Sequence, residues 1–517
     1  MLSMSSALQR ARRQHASRPA IIETDRTYSW AEHVMRVARL AGALRAMGLA
    51  PGARIGILSR NTFRQAELLH AGYWSGVIPV PINVRLAPRE IAFVLGDADC
   101  ALLAVDHALL ALLDKEELAP WRYQAVVLGP NGAVRRSLDD LIESAIPLPP
   151  LDADEDDDAI LLYTGGTTGR AKGVRLTHRN IAANGFQVGL TLGIRHDDIY
   201  LHVAPMFHSA DLLGSALTLT GGAHVYLPDF NPTTFLAAIE KHRITFTMLA
   251  PTMLIMVLQH ADFAKFDLSS LRIQIYGSSP MAESWIRRAL EALPWVKVTQ
   301  GYGLSETAPI LSFFEHHHHL EALASGNTAR LACAGKPLPG VDLRIVDDAG
   351  NEVPTGTSGE VIVRGPNVTP GYYGLPETNR ETFRDGWFHT GDIGREDAEG
   401  FLYLLDRKKD MIVTGGENVY SAEVEAALCT HAGIAEAAVI GVPDETYGEA
   451  VFAVVIVKPG MTLDSDELIA HCRGTIGGYK IPRRFAFVQA LPKSSLGKVL
   501  KADLRQRFGG KGSIGAV

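Results

Sequence analysis

Along the first 340 positions, short aliphatic and β-branched runs alternate with longer amphipathic stretches. RIGILSR and VIPVPIN predict two strands, and FRQAELLHAGYWSG between them predicts a helix. CALLAV, QAVVLG, HVYLP, ITFTML and IQIYG predict further strands that are apolar on both faces. Strands spaced by helices imply parallel sheets covered by helices. One early helix announces its start with a capping box, Ser29 with Glu32, and its apolar face follows as Val34, Val37, Ala41 and Leu44. The most apolar stretch, 244–261, is broken by Pro251 and ends on Gln259 and His260, which predicts a buried strand–helix pair rather than a membrane span. The acidic run DADEDDD at 152–158 reads as a solvated turn. The segment EHHHHLEALASGN at 315–327 reads as an exposed loop. Its four consecutive histidines, His316 to His319, do not make a preformed tetrahedral metal site.

The pattern changes after about residue 340. VDLRIVDDAGNEVPTGTSGEVIVRG alternates short strands with DAGN and PTGTSG turns, the mark of an antiparallel subdomain. After the charged segment DRKKD (406–410), EVEAALCTHAGIAEAAVIGVPD predicts a helix and a strand, and AVFAVVIV another strand. A domain boundary is expected within that segment, and the tail FGGKGSIGAV is expected to be loose. The fold expected is α/β: a large N-terminal domain, residues 1–406, of mostly parallel sheets flanked by helices plus a β-rich subdomain, and a small α+β C-terminal domain, residues 407–517.

Composition narrows the class. A chain of 517 residues exceeds one core, and 47% apolar with 21% charged residues is ordinary for a globular protein. The net charge of −7 argues against nucleic acid as a partner, so any anion binding has to be local. Cys100, Cys333, Cys429 and Cys472 are widely spaced, which implies reduced thiols, and the N-terminus lacks a signal-peptide core; a cytoplasmic protein is expected.

The apolar run AILLY ends in TGGTTGRAKG, 164–173. This is neither a Walker loop nor a dinucleotide fingerprint. Glycines 165, 166, 169 and 173 nevertheless free backbone N–H groups for an anion. Thr164, Thr167 and Thr168 add hydroxyls and Lys172 a cation. Four more segments carry chemistry. In YGLSE (302–306), Tyr302 suits stacking on a base and Glu306 suits Mg2+ on a nucleotide's phosphates. In GWFHTGDIG (386–394), Asp392 in a glycine-flanked turn suits ribose hydroxyls. DRKKDMIVTGGENVYSAEVE (406–425) and PKSSLGKV (492–499) complete the set.

These five motifs, in this order and spread from about residue 20 to 505, resemble the adenylate-forming superfamily of acyl-CoA synthetases, luciferases and peptide-synthetase adenylation domains. The resemblance implies a reaction in two steps. ATP and a carboxylic acid give an acyl-adenylate and pyrophosphate, and the thiol of coenzyme A then displaces AMP. It implies that Thr164, Gly165, Gly166, Thr167, Thr168, Gly169 and Lys172 form a loop over the β and γ phosphates. Gly277, Ser278, Ser279, Tyr302 and Gly303 match the adenine site, Thr307 a contact to the α-phosphate, and Asp392 with Arg407 the ribose clamp. Glu306 matches the Mg2+-associated glutamate. Lys498 matches the catalytic lysine that bridges acyl carboxylate and nucleotide. The family rotates its C-terminal domain between half-reactions, with Lys409 at the hinge. Gly415, Gly416 and Glu417 would then approach the pantetheine, and Lys480 and Arg483 the phosphates of coenzyme A. The motif's usual hydroxyl before the final Gly-Lys pair is Leu496 here.

His208 follows Phe207 where peptide-synthetase domains carry an aspartate for the substrate's ammonium group, which implies an acid without an α-amino group. Phe207, His208, Leu212, Gly303, Leu304 and Ala308 would line a largely apolar pocket, with His208 counted among the catalytic residues. The expected substrate is a hydrophobic monocarboxylic acid, with a medium- or long-chain fatty acid ahead of an aryl or arylalkenyl acid. A noncatalytic nucleotide-binding scaffold is the alternative of another class, and a homodimer is left open.

Overall fold

The runs IQIYG, ITFTML and HVYLP form the strands Ile273–Gly277, Phe246–Leu249 and Ala223–Tyr226 of a nine-stranded sheet. The structure is a computed structural model, and it describes residues 2–129, 136–164, 171–279, 281–414, 417–444, 447–473, 475–493 and 498–509. The chain divides into two compact units, residues 1–343 with 363–388, and residues 344–362 with 389–517. It passes between them along the strands Asp342–Val346, Gly359–Arg364 and Trp387–Glu396.

In the first unit, six strands of the large sheet run parallel in the order Lys297–Gly303, Ile273–Gly277, Phe246–Leu249, Ile199–His202, Ala223–Tyr226 and Pro19–Ile22. Antiparallel strands close both sides. From Ile199–His202 the chain first builds toward one edge and later, from Phe246–Leu249 onward, toward the other. This is a topological switch point, and ligands of such sheets bind outside the carboxyl ends of the strands there. A second sheet is parallel, in the order Ile78–Ile82, Arg54–Leu58, Cys100–Asp106, Val126–Leu128. A third is antiparallel, Gly371–Tyr372, Lys172–Thr177, Asp158–Thr164.

The capping box forms as read: the Glu32 N–H donates to the Ser29 hydroxyl at 3.3 Å and the Ser29 N–H donates to Glu32 Oε2 at 2.8 Å. Val34, Val37, Ala41 and Leu44 are buried behind it. The 244–261 stretch is the strand Phe246–Leu249 followed by the helix Pro251–Leu258, and among the described residues no helix is long and apolar enough to cross a membrane. The acidic run lies on the surface apart from Ala153, with Glu155 and Asp156 paired to Arg179.

Two expectations need correction. Helix Phe63–Ser75 is not half-exposed but buried nearly all round, Glu67 and His70 included. Glu67 and His70 are accommodated by partners that sequence separation hides: Arg36 Nη2 donates to Glu67 Oε2 at 3.0 Å, and His70 Nδ1 lies 2.8 Å from His33 Nε2. The histidine run is not an exposed loop: His316–Ala324 is a helix, with His319 fully buried and its Nε2 2.8 Å from the Tyr276 hydroxyl. Histidine at every fourth place can face a core when a buried partner waits there, which the local pattern does not disclose.

The second unit holds the hairpin Trp387–Glu396 with Leu402–Arg407. Its other sheet runs Glu417–Val419, Ile412–Thr414, Gly448–Val457, Ile434–Asp444, with Arg484–Phe487 beside Gly448–Val457. Helices Ser421–Cys429 and Lys501–Phe508 both pack on strand Ile434–Asp444. The α/β class with a β-rich part and a small α+β part is as expected. The expected boundary after residue 406 falls inside this second unit. The tail from residue 510 lies outside the described residues.

Burial lowers the pKa of His319 from 6.5 to about 4. A depressed histidine is neutral in the fold and protonated when unfolded, so its contribution is lost as pH falls from about 6.5 toward 4. His319→Gln should reduce the pH dependence of unfolding free energy in that window by up to one proton, about 1.4 kcal/mol per pH unit. Urea unfolding at a series of pH values measures this, and an unchanged slope would show that His319 titrates normally.

Candidate active site

The carboxyl ends of the parallel strands carry several of the residues singled out in the first unit. Gly277 and Gly301 are register partners on adjacent strands, so Ser278, Ser279, Tyr302 and Gly303 emerge at one edge. A Cβ on Gly277 would collide with the Gly301 carbonyl oxygen, and one on Gly303 with that of Pro309. Only glycine allows these backbones to approach so closely. Ser278 and Ala308 are left-handed at φ 72° and 58°, a conformation that costs a non-glycine residue energy and needs surrounding support.

That support comes from side-chain amides. Strand pairing between Lys297–Gly303 and Ile310–Phe314 shifts register at Tyr302/Gly303, so the turn between them leaves the ladder. Asn184 takes over, donating to the Ile310 carbonyl at 2.8 Å and accepting from the Ile310 N–H at 3.2 Å. Asn367 donates to the Thr307 and Ile310 carbonyls at 2.9 and 3.1 Å. Asn180 binds the carbonyls of Pro366 and Val368 at 2.9 and 2.8 Å. Sequence reading missed these three residues. A signal existed in helix His178–Leu192, where Asn180, Asn184 and Gln187 put amides on one face of a buried helix, the two asparagines against their ordinary helix preference.

Glu306 stands on this turn, half-buried. The Tyr372 hydroxyl donates to its Oε1 at 2.8 Å, and its carbonyl accepts from the Thr369 N–H at 2.8 Å. Oε2 has no protein partner among the described residues. A carboxylate oxygen fixed in this way suits a hard divalent cation such as Mg2+. Thr307, expected at a phosphate, is fully buried, and its hydroxyl lies 2.9–3.0 Å from the backbone of Leu304 and Pro309. It braces the turn in this conformation rather than facing a ligand.

Thr164 and Lys172 are the last register pair of their hairpin, and the loop carrying Gly165, Gly166, Thr167, Thr168 and Gly169 lies outside the described residues. Lys172 places its ammonium 5.1 Å from the centre of the Tyr372 ring. Tyr372, also unmarked by sequence reading, therefore touches both the loop's lysine and Glu306.

The segment after strand Ile199–His202 carries the expected acyl-pocket residues. Asn61 fixes it, donating to the Ala204 carbonyl at 2.9 Å and accepting from the Met206 N–H at 2.8 Å. Phe207 is buried with its ring edge-on to His208, centroids 4.7 Å apart. Ser209 Oγ lies 3.0 Å from Ser305 Oγ, so Leu212 and His208 share a neighbourhood with Gly303 and Leu304. Ala308 instead joins the hydrophobic core.

In the second unit, Asp392 and Arg407 are register partners and form an ion pair at 2.7 Å. Asp392 thus lies in mid-strand, not in the turn its glycines suggested. Lys498 remains solvent-accessible although densely surrounded. That crowding, together with the positive charge of Arg407, lowers its pKa, while Asp392 works in the opposite direction. The structure brings together three residues spread over 107 positions of sequence. At the expected hinge, Lys408 pairs with Asp348 at 2.9 Å and Asp410 with Arg505 at 2.8 Å, on either side of Lys409. Gly415 and Gly416 lie outside the described residues, and Glu417 begins an exposed strand. Lys480 is held by both oxygens of Glu423 at 2.7 and 2.8 Å, and Arg483 lies over the Tyr447 ring at 3.8 Å. Neither is brought near Lys498 by any contact described.

Residues 8–373 match the AMP-binding enzyme family, and residues 423–498 match the AMP-binding enzyme C-terminal domain. The chain is 38% identical to a feruloyl-CoA synthase of Amycolatopsis over 93% of its length and 94% of the relative's. It is 36% identical to an indoleacetate–CoA ligase of Aromatoleum aromaticum, with 94% of each chain covered. Its structure is similar to that of the o-succinylbenzoate coenzyme A synthetase of Bacillus subtilis in complex with ATP and magnesium ion, with a TM-score of 0.84, 30% identity, and 96% and 99% of the two chains covered. The chain belongs to the AMP-binding enzyme family and is an AMP-forming acid–thiol ligase, with ATP and coenzyme A as its cosubstrates and Mg2+ as its cofactor.

Proposed function

We propose that this ligase activates an apolar monocarboxylic acid, an aryl or arylalkenyl acid ahead of a fatty acid, and passes the acyl group to coenzyme A. The gathering of Lys498, Arg407 and Asp392 in one unit carries the catalytic part of this reading. The aromatic acids in the names of both relatives support the order of substrates, reversing the fatty-acid preference expected from the sequence.

Adenylation brings a carboxylate and a triphosphate together, so the protein has to supply positive charge and alignment more than proton transfer. Lys498 is assigned to the acyl carboxylate and the α-phosphate. Lys172 is assigned to the outer phosphates and Asp392 with Arg407 to the ribose. Glu306, oriented by Tyr372, would hold Mg2+, which when bound neutralises phosphate charge. His208 and Leu212 border the acid. For the thiol step, the C-terminal domain expected from residue 407 turns about Lys409, withdrawing Lys498 and presenting 415–417. Lys480 and Arg483 reach coenzyme A only by exchanging Glu423 and Tyr447 for its phosphates.

Pyrophosphate release with ATP, Mg2+ and a panel of aromatic, arylalkenyl and C4–C18 acids tests the reading; no release with any acid would leave the scaffold alternative ahead. Lys498→Ala should lower adenylation about 10²–10³-fold while sparing thioester formation from supplied acyl-adenylate. An equal loss in both steps would contradict the rotation. Tyr372→Phe removes a hydrogen bond to a charged group and should lower kcat/KM for Mg·ATP about tenfold or more. A change below twofold would remove Tyr372 from the positioning of Glu306. Adenylation needs Lys498 charged, so activity declines as pH rises through its pKa. Arg407→Gln removes a nearby positive charge and frees Asp392, and both effects raise that pKa. The alkaline limb of kcat/KM should therefore move to higher pH, whereas an unmoved limb would mean another group sets it.

A further inference from the structure

The last helix of the second unit, Lys501–Phe508, begins close after Lys498 and reaches back to the segment expected to act as hinge. Arg505 Nη2 donates to Asp410 Oδ1 at 2.8 Å and to the carbonyl of Lys409 itself at 3.3 Å, so the peptide after Lys409 is tied to this helix. On the other side, the Lys408 N–H donates to the Gly391 carbonyl at 2.8 Å, and its ammonium pairs with Asp348 at 2.9 Å and Glu360 at 3.3 Å. Anchored neighbours on both sides leave the torsions of Lys409 to absorb a turn of the chain.

Two kinds of contact span this pivot. The N–H groups of Asp410 and Met411 bond back to the Arg407 carbonyl at 2.8 and 3.0 Å, within the turn. The other is made by side chains. Asp406 lies before the pivot and Ser421 after it, at the start of helix Ser421–Cys429. The N–H and the hydroxyl of Ser421 both donate to Asp406 Oδ2, at 2.5 and 2.6 Å. Lys501 fixes the direction of that hydroxyl. Its ammonium contacts Ser421 Oγ and pairs with Glu425 Oε1 at 2.8 Å. An ammonium only donates, so Ser421 Oγ accepts from Lys501 and keeps its own proton for Asp406. Asp406 Oδ1 accepts from the Arg407 N–H at 2.8 Å, on the near side of the pivot. Ser421 is fully buried and Lys501 mostly so, which strengthens the contact by excluding water.

Resting on the rotation in the function proposed above, we propose that Asp406, Ser421 and Lys501 form a latch that holds the orientation used for adenylation and has to open for the thiol step. Lys501 is then a positioning residue, acting on Lys498 through Ser421 and Asp406. The latched orientation is that of adenylation because Lys498 here lies in the field of Asp392 and Arg407, the pair assigned to the ribose. A large rotation about Lys409 carries Ser421 away from Asp406, whose Oδ2 loses both donors. Opening the latch therefore costs free energy that favours the first step over the second.

The two half-reactions report the two orientations. Where chemistry limits both, the adenylation rate follows the latched fraction and the thioester rate the turned fraction, so their ratio follows the equilibrium between them. Pyrophosphate release without coenzyme A gives the first rate and thioester formation from supplied acyl-adenylate the second, both on one preparation of the full chain. Ser421→Ala removes a hydrogen bond to a charged group and should lower the ratio of adenylation to thioester formation about tenfold or more. Lys501→Met should lower it in the same direction. Circular dichroism and the urea midpoint establish that each variant is folded, and the ratio is insensitive to the active fraction, so a loss of stability alone does not move it. An unmoved ratio in either variant, with Lys498→Ala still losing adenylation selectively, would overturn the latch and leave the rotation standing. Equal losses in both steps for Lys498→Ala would instead bring down the rotation, and the latch with it.

Discussion

The turn between Gly303 and Ile310 has to leave the sheet, present Glu306 and still satisfy a buried backbone. A buried peptide group that loses its ladder partner needs another. Asn184 and Asn367 provide it from two other elements, and the Thr307 hydroxyl adds a third contact from within. The left-handed Ala308 and the crowding at Gly303 follow from the same geometry. Glu306 is therefore fixed from below by its own backbone, through Thr369, and from the side by Tyr372. The switch-point topology places this turn beside the His208 segment, and the Ser209–Ser305 contact joins them.

The second unit solves an electrostatic problem rather than a conformational one. Two cations, Arg407 and Lys498, share the neighbourhood of one carboxylate, Asp392. The surplus positive charge is local, in a chain whose net charge is −7. Such a cluster suits an anionic ligand that also offers hydroxyls to Asp392. The lowered pKa of Lys498 has the same origin, since crowding and a like charge both disfavour the ammonium in the absence of that ligand.

Buried histidines show a further use of polar side chains inside the first unit. His33, His70, His224 and His319 all have lowered pKa values, burial being the leading cause, so they sit neutral in the core. Neutral imidazoles relay hydrogen bonds between strands and helices without the desolvation cost of a charge. The relay from Thr218 to Asp211 ties the strands Ile199–His202 and Ala223–Tyr226 to the segment that follows His208.

Hydrophobic period and glycine punctuation carried the fold class, the parallel strands, the capped helix and the five motifs, because each is a local property of neighbouring residues. The helix at His316–Ala324, the all-round burial of Phe63–Ser75 and the mid-strand place of Asp392 were not legible there. Each depends on a partner far along the chain: Tyr276 for His319, Arg36 for Glu67, Arg407 for Asp392. Asn180, Asn184, Asn367 and Tyr372 escaped notice for the same reason, since an amide or a phenol acquires its role only from the carbonyl or carboxylate that tertiary structure sets against it. The sequence by itself determined the fold class and the family's motifs with their order along the chain. Tertiary structure alone decided how they are held, because hydrogen bonds and charge pairs act over a few ångströms in space, whatever the distance along the chain.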